Sequence, residues 1–138
     1  MDSDRIAPAL EEALARVLQD VRATIPERVS VQPGNWGSID DQLTAWLAPP
    51  VGGRVGVWIR ASDGTAEQLV RLADQVQDAV VPTLWSLGRS ATWPTCPWHP
   101  TGLPVKPGLV NGEPWWSCPD RDRPVAPIGS LGEALTEI

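Results

Sequence analysis

At 138 residues, with 42% apolar and 20% charged residues, the chain is long enough to bury a core and is not composed like a disordered segment. Its formal net charge of −6 is shared by both halves, 12 acids against 8 bases in residues 1–90 and 5 against 3 in residues 91–138. That leaves no basic face for nucleic acid or anionic lipid. No apolar run approaches the about 18 residues that cross a bilayer, and Met1 to Asp4 is acidic, unlike a signal peptide. A cytoplasmic protein without nucleic-acid or membrane partners is expected, in which two cysteines are thiols or metal ligands before they are a disulfide.

Ile6, Leu10, Leu14, Val17, Leu18, Val21 and Ile25 recur at steps of three and four, which predicts an amphipathic first helix. Glu11, Glu12, Arg16, Asp20 and Arg22 are expected on its outer face. Ser3 or Asp4 can cap it, Pro8 is tolerable in its first turn, and Pro26 ends it. Arg28 to Gln32 then alternates as a strand, Val29 and Val31 on one face, before the turn Pro33-Gly34-Asn35. Residues 42–48 fit two patterns. Leu43, Ala45 and Leu47 alternate as in a strand, whereas Leu43, Trp46 and Leu47 would line one helix face; the tight flanking turns favour the strand. Arg54 to Ala61 alternates with Val55, Val57 and Ile59 inward and Trp58 opposite.

A second helix is predicted after Ser62-Asp63-Gly64, with Thr65 and Gln68 as a capping box and Ala66, Leu69, Val70, Ala73, Val76, Val80 and Leu84 as its buried stripe. Pro82 predicts a kink or restart. Residues 1–90 therefore read as an α+β domain: helix, three-stranded antiparallel meander, and a second helix on the same sheet face. A boundary falls near 88–93, because nine of the fifteen prolines lie in residues 91–138. This Pro- and Trp-rich module has a hairpin signal at Asn111-Gly112 and a capping-box pattern, Ser130 with Glu133, for a short helix 131–137.

The module holds both cysteines and the only histidine, in Cys96-Pro97-Trp98-His99 and Trp116-Ser117-Cys118-Pro119. Two residues separate Cys96 from His99, and 18 separate His99 from Cys118. A tight turn offering two ligands, with a hairpin returning another, is the spacing of a tetrahedral zinc site. Proline after each cysteine suits a tight knuckle, and the Asn111-Gly112 hairpin would carry Cys118 back. The position of a fourth cysteine holds Arg121, which cannot ligate, so Asp120 or Asp122 must complete a closed Zn2+ site.

This Cys-Pro-x-His... Trp-x-Cys-Pro pattern resembles the zinc-ribbon superfamily, and more loosely small actinobacterial proteins of unknown function, over residues 93–128. The resemblance implies a ligand role for Cys96, His99 and Cys118, and Arg121 departs from it. A metal-free relic packed by Trp93, Trp98, Trp115 and Trp116, a Cys96–Cys118 disulfide and an open catalytic zinc are the alternatives. Support for an enzyme is thin: there is no H-E-x-x-H, no deaminase H-x-E and no phosphate-binding glycine loop, and His99 is better used as a ligand. Trp36, Trp46 and Trp58 are candidates for an interaction surface, or fill core space that Phe and Tyr fill elsewhere. The expected function is a non-enzymatic protein-interaction or adaptor module with a structural zinc. A zinc-dependent hydrolase with an open three-ligand site is the alternative.

Overall fold

A computed structural model describes residues 6–25, 29–34, 40–50, 53–88, 92–99, 103–120 and 122–136. The fold is α+β: helix α1 (Pro8–Thr24), strands β1 (Ser30–Pro33), β2 (Gln42–Ala48) and β3 (Val55–Arg60), helices α2 (Thr65–Ala79) and α3 (Val81–Ser86), strands β4 (Lys106–Val110), β5 (Glu113–Cys118) and β6 (Arg123–Pro127), and helix α4 (Leu131–Thr136). Two antiparallel three-stranded meanders result, β1-β2-β3 and β4-β5-β6. No helix among the described residues is long and apolar enough to cross a membrane.

Residues 42–48 form the central strand of the first sheet, with Ala45 opposite Pro33 and Val57, and Leu47 opposite Val31 and Val55. Alternation prevails because β3 alternates in step with it: Ala45 and Leu47 of β2 and Val57 and Ile59 of β3 are wholly buried on one face. Leu10, Leu14, Val17 and Val21 of α1 and Leu69, Leu72, Ala73 and Val76 of α2 are buried in the same core. The outer edge of β3 is closed by side chains of α2. Gln75 donates through Nε2 to Trp58 O at 2.7 Å and accepts from Trp58 N at 2.9 Å, while Gln68 Nε2 donates to Arg60 O at 2.8 Å. A glutamine amide thus stands in for a fourth strand, which blunts an otherwise open edge. Gln75→Ala is expected to cost about 1 kcal/mol, the scale of a partly solvated backbone pair, read as a lowered urea midpoint at unchanged slope.

Several local expectations are corrected. Thr65 and Gln68 make no capping box: Gly64 is the N-cap, without a side-chain cap, because Gln68 is used on the β3 edge. The proposed caps Ser3 and Asp4 lie outside the described residues, as does Pro26. Pro82 does cause a restart, falling in the first turn of α3 where its missing N–H costs nothing. Asp20, expected on the outer face of α1, is completely buried.

The second sheet does not close a core of its own. Trp93, Cys96, Val105, Trp116, Cys118, Ala126, Ile128 and Leu131 belong to the same apolar cluster as the α1 and α2 stripes. Helix α2 packs against both sheets. Its buried Gln77 donates to Val105 O at 2.7 Å, fastening it to the chain just before β4.

Candidate metal centre

The segment before β4 builds the first half of the site. Cys96 N donates to Leu103 O and Val105 N to Pro94 O, with Thr95 bridged to Pro104, so residues 94–96 lie antiparallel to 103–105. Beyond this clamp the chain turns tightly, His99 N donating to Cys96 O at 3.1 Å. The Asn111-Gly112 turn has φ of 52° and 80°, the left-handed pair of a type I′ hairpin, and it returns β5 along β4. Ser117 comes to rest opposite Lys106, so Cys118 ends beside the strand that clamps Cys96. A register shift between Trp116 and Ser117 bulges β6 at Val125 and places Cys118 opposite Arg123.

The donor atoms of Cys96, His99 and Cys118 lie within 4.8 Å of one another, a group that could hold a metal ion. His99 presents Nδ1 to both sulfurs, 3.5 Å from Cys96 Sγ and 3.6 Å from Cys118 Sγ. The thiols are free and wholly buried, whereas the His99 side chain keeps 26% exposure. Burial pushes the Cys96 thiol up from its ordinary range and the neighbouring Cys118 adds to this, although the backbone amides of Trp98 and His99 oppose it at the sulfur. A bound cation reverses that balance, since a coordinating thiol is deprotonated.

Asp120 does not join the three donors. Its Oδ2 lies 3.2 Å from His99 Nε2, the ring nitrogen facing away from the thiols. A carboxylate there accepts the Nε2 proton and so leaves the Nδ1 lone pair aimed at the sulfurs. Asp122, in the turn at φ 48°, is exposed and outside the donor group as well.

Two indoles anchor the site to α1. Trp116, two residues before Cys118 and fully buried, donates from Nε1 to Asp20 Oδ2 at 2.8 Å. Trp93, three residues before Cys96, donates from Nε1 to Thr24 Oγ1 at 2.8 Å. The two rings meet edge to face, centroids 5.6 Å apart at 77°. Asp20 and Thr24 are one helical turn apart, so a single face of α1 receives both indoles. Asp20 also accepts from Gly129 N at 2.7 Å and from Leu131 N, the first residue of α4, at 2.9 Å. Asp20, rather than Ser130, therefore serves the start of that helix. Sequence reasoning missed this hub. The available signal was the line Ala13, Asp20, Thr24, at steps of seven and four beside the apolar stripe.

The tryptophans selected for a surface are placed differently. Trp36 lies outside the described residues. Trp46 and Trp58 share the sheet face away from the helices, but both are half-buried. Arg54 sits 4.1 Å from the Trp46 ring centroid, and Arg71 sits 4.7 Å from that of Trp58. Trp85 of α3 is the most exposed large apolar side chain described, at 67%, with Leu109 at 47%. Compared with protein-family models, curated proteins and solved structures, the chain matches none.

Proposed function

We propose that Cys96, His99 and Cys118 hold a structural Zn2+, and that the protein is a metal-stabilised interaction module without catalytic activity, working in the cytoplasm. The single observation that carries the zinc is metric. With Zn–S of about 2.3 Å and Zn–N of about 2.0–2.1 Å, a tetrahedral ion separates nitrogen from sulfur by about 3.5–3.6 Å. The separations of 3.5 and 3.6 Å from His99 Nδ1 to the two sulfurs match both edges. Two thiols and an imidazole are the borderline-soft set that zinc takes, and the Asp120 carboxylate on the far ring nitrogen completes a carboxylate–histidine–metal arrangement. The ion would tie the knuckle at Cys96 to the end of β5. The acidic balance favours a protein partner over nucleic acid, and Trp85 with Leu87 offers apolar surface for one.

Metal analysis of protein purified under reducing conditions is expected to give one zinc per chain, and a ratio near zero sinks the reading. Asp120→Asn is expected to weaken zinc affinity about 10- to 100-fold, the cost of losing an outer partner, with the 1:1 ratio retained at saturating zinc. Loss of the 1:1 ratio would make Asp120 a ligand after all. The hydrolase reading keeps one supporting observation, a donor group of three, since catalytic zinc sites use three protein ligands and water. Hydrolysis of activated esters by the zinc-loaded protein, abolished in Cys118→Ser, would favour it.

A further inference from the structure

We infer that the metal at this centre keeps one coordination position for a small anion from outside the chain, and that Arg123 is the cation that recruits it. This rests on the zinc reading above and adds a ligand to it.

The donor set is the first ground. Among the described residues no fourth His, Cys, Asp or Glu joins the three. Asp120, the carboxylate that the spacing offers, is engaged with His99 Nε2. Three donors on a tetrahedral ion leave one vertex for a ligand that the described residues do not supply.

Exposure is the second. Both sulfurs are fully buried, whereas the His99 side chain keeps 26% exposure, so solvent comes nearest the three donors at the imidazole. A small molecule approaching from that side has no thiol to displace.

Charge is the third. Two thiolates and a neutral imidazole already neutralise Zn2+, so the ion by itself attracts an anion weakly in a chain of net charge −6. Arg123 supplies the missing positive charge. It stands opposite Cys118 in the β5–β6 ladder, and its guanidinium lies 4.3 Å from the ring centroid of Trp98, the residue before His99 in the knuckle. It is exposed and makes no ion pair among the described residues. A guanidinium stacked on an indole keeps its in-plane N–H donors directed outward, in the fork that matches a carboxylate. A carboxylate-sized anion, with one atom on the metal and another on Arg123, uses both features.

The test loads the full chain with Co2+ in place of zinc and follows the visible bands while azide is added at constant ionic strength. The expected result is a saturable spectral shift that acetate competes away. Arg123→Gln should raise the azide midpoint about fivefold, the scale of one solvent-facing charge pair, without changing cobalt stoichiometry. Bands that do not move across the titration overturn the inference while leaving the zinc reading intact. An Asp122→Asn variant whose anion-free spectrum differs from the wild type also overturns it, because the chain's own carboxylate would then fill the position. An unchanged midpoint in Arg123→Gln overturns the role given to that residue. Failure to take up Co2+ at all is seen before any anion is added, and it overturns the zinc reading itself.

Discussion

Asp20→Ala is expected to destabilise the protein by about 4 kcal/mol at neutral pH, a large share of the roughly 5–15 kcal/mol that holds a domain of this size. The carboxylate accepts three hydrogen bonds, from Trp116 Nε1, Gly129 N and Leu131 N, in a fully buried position. Alanine leaves three donors without an acceptor, each costing about 1–3 kcal/mol, and removing a buried charge returns part of that. The loss should show as a lowered urea midpoint and a changed near-ultraviolet signal from Trp116. A cost below about 1 kcal/mol would mean that water reaches these donors and that Asp20 is not the hub described.

The pH dependence of this group has a definite sign. Burial raises the Asp20 carboxyl above its ordinary 3.8, against the pull of Trp116, Gly129, Leu131 and Arg16. The folded state then holds the Asp20 proton more tightly than the unfolded chain does. Its contribution to stability is fullest below the unfolded value and declines as pH rises through the raised folded one. The stability difference between wild type and Asp20→Asn, from urea melts, should therefore shrink from acid toward neutral pH. A difference that grows with pH would show that the three donors outweigh burial and hold the Asp20 carboxyl below its ordinary value instead.

Removing the proposed zinc is the second large effect. Cys118→Ser, or a chelator added to the wild type, is expected to lower stability by about 4 kcal/mol relative to protein at free zinc 1,000-fold above its Kd. Helical and tryptophan signals should be lost in one transition. Cys96 and Cys118 sit in the same apolar cluster as Leu14, Val17 and Val76, and the indoles beside them are bonded to α1. A tail that melts first, leaving the α1 and α2 signal in place, would show two cooperative units instead of one.

The composition changes near 88–93, a stretch that lies between α3 and β4 in the chain. Composition could not say whether the two sheets share a core. That depends on α2 offering apolar surface in two directions and on Asp20 and Thr24 receiving indoles from 69 and 96 residues away. Helices α1 and α2, the meander, the restart at Pro82 and the Asn111-Gly112 hairpin were readable because each follows from hydrophobic period or turn chemistry within a short window. The capping boxes failed for the converse reason. Gln68 found its partner on the preceding strand and the first amide of α4 found one in α1, and a helix-capping pattern carries no information about contacts outside its own turn.

The candidate site divides along the same line. Spacing alone grouped Cys96, His99 and Cys118, since a two-residue gap makes a knuckle and a hairpin brings its far strand home. Which histidine nitrogen faces the sulfurs, and that Asp120 lies behind the ring rather than among the donors, were decided only in three dimensions. Side-chain direction at a turn depends on how the adjoining strands are clamped, here by the Cys96–Leu103 hydrogen bond and the bulge at Val125. By itself the sequence determined α1, the first meander, α2, the Asn111-Gly112 hairpin and the three grouped donors, but not strand β6, which makes the second sheet three-stranded. The tertiary structure decided the common core, the buried Asp20 and the orientation of the centre, because each arises from contacts between residues that no local period links.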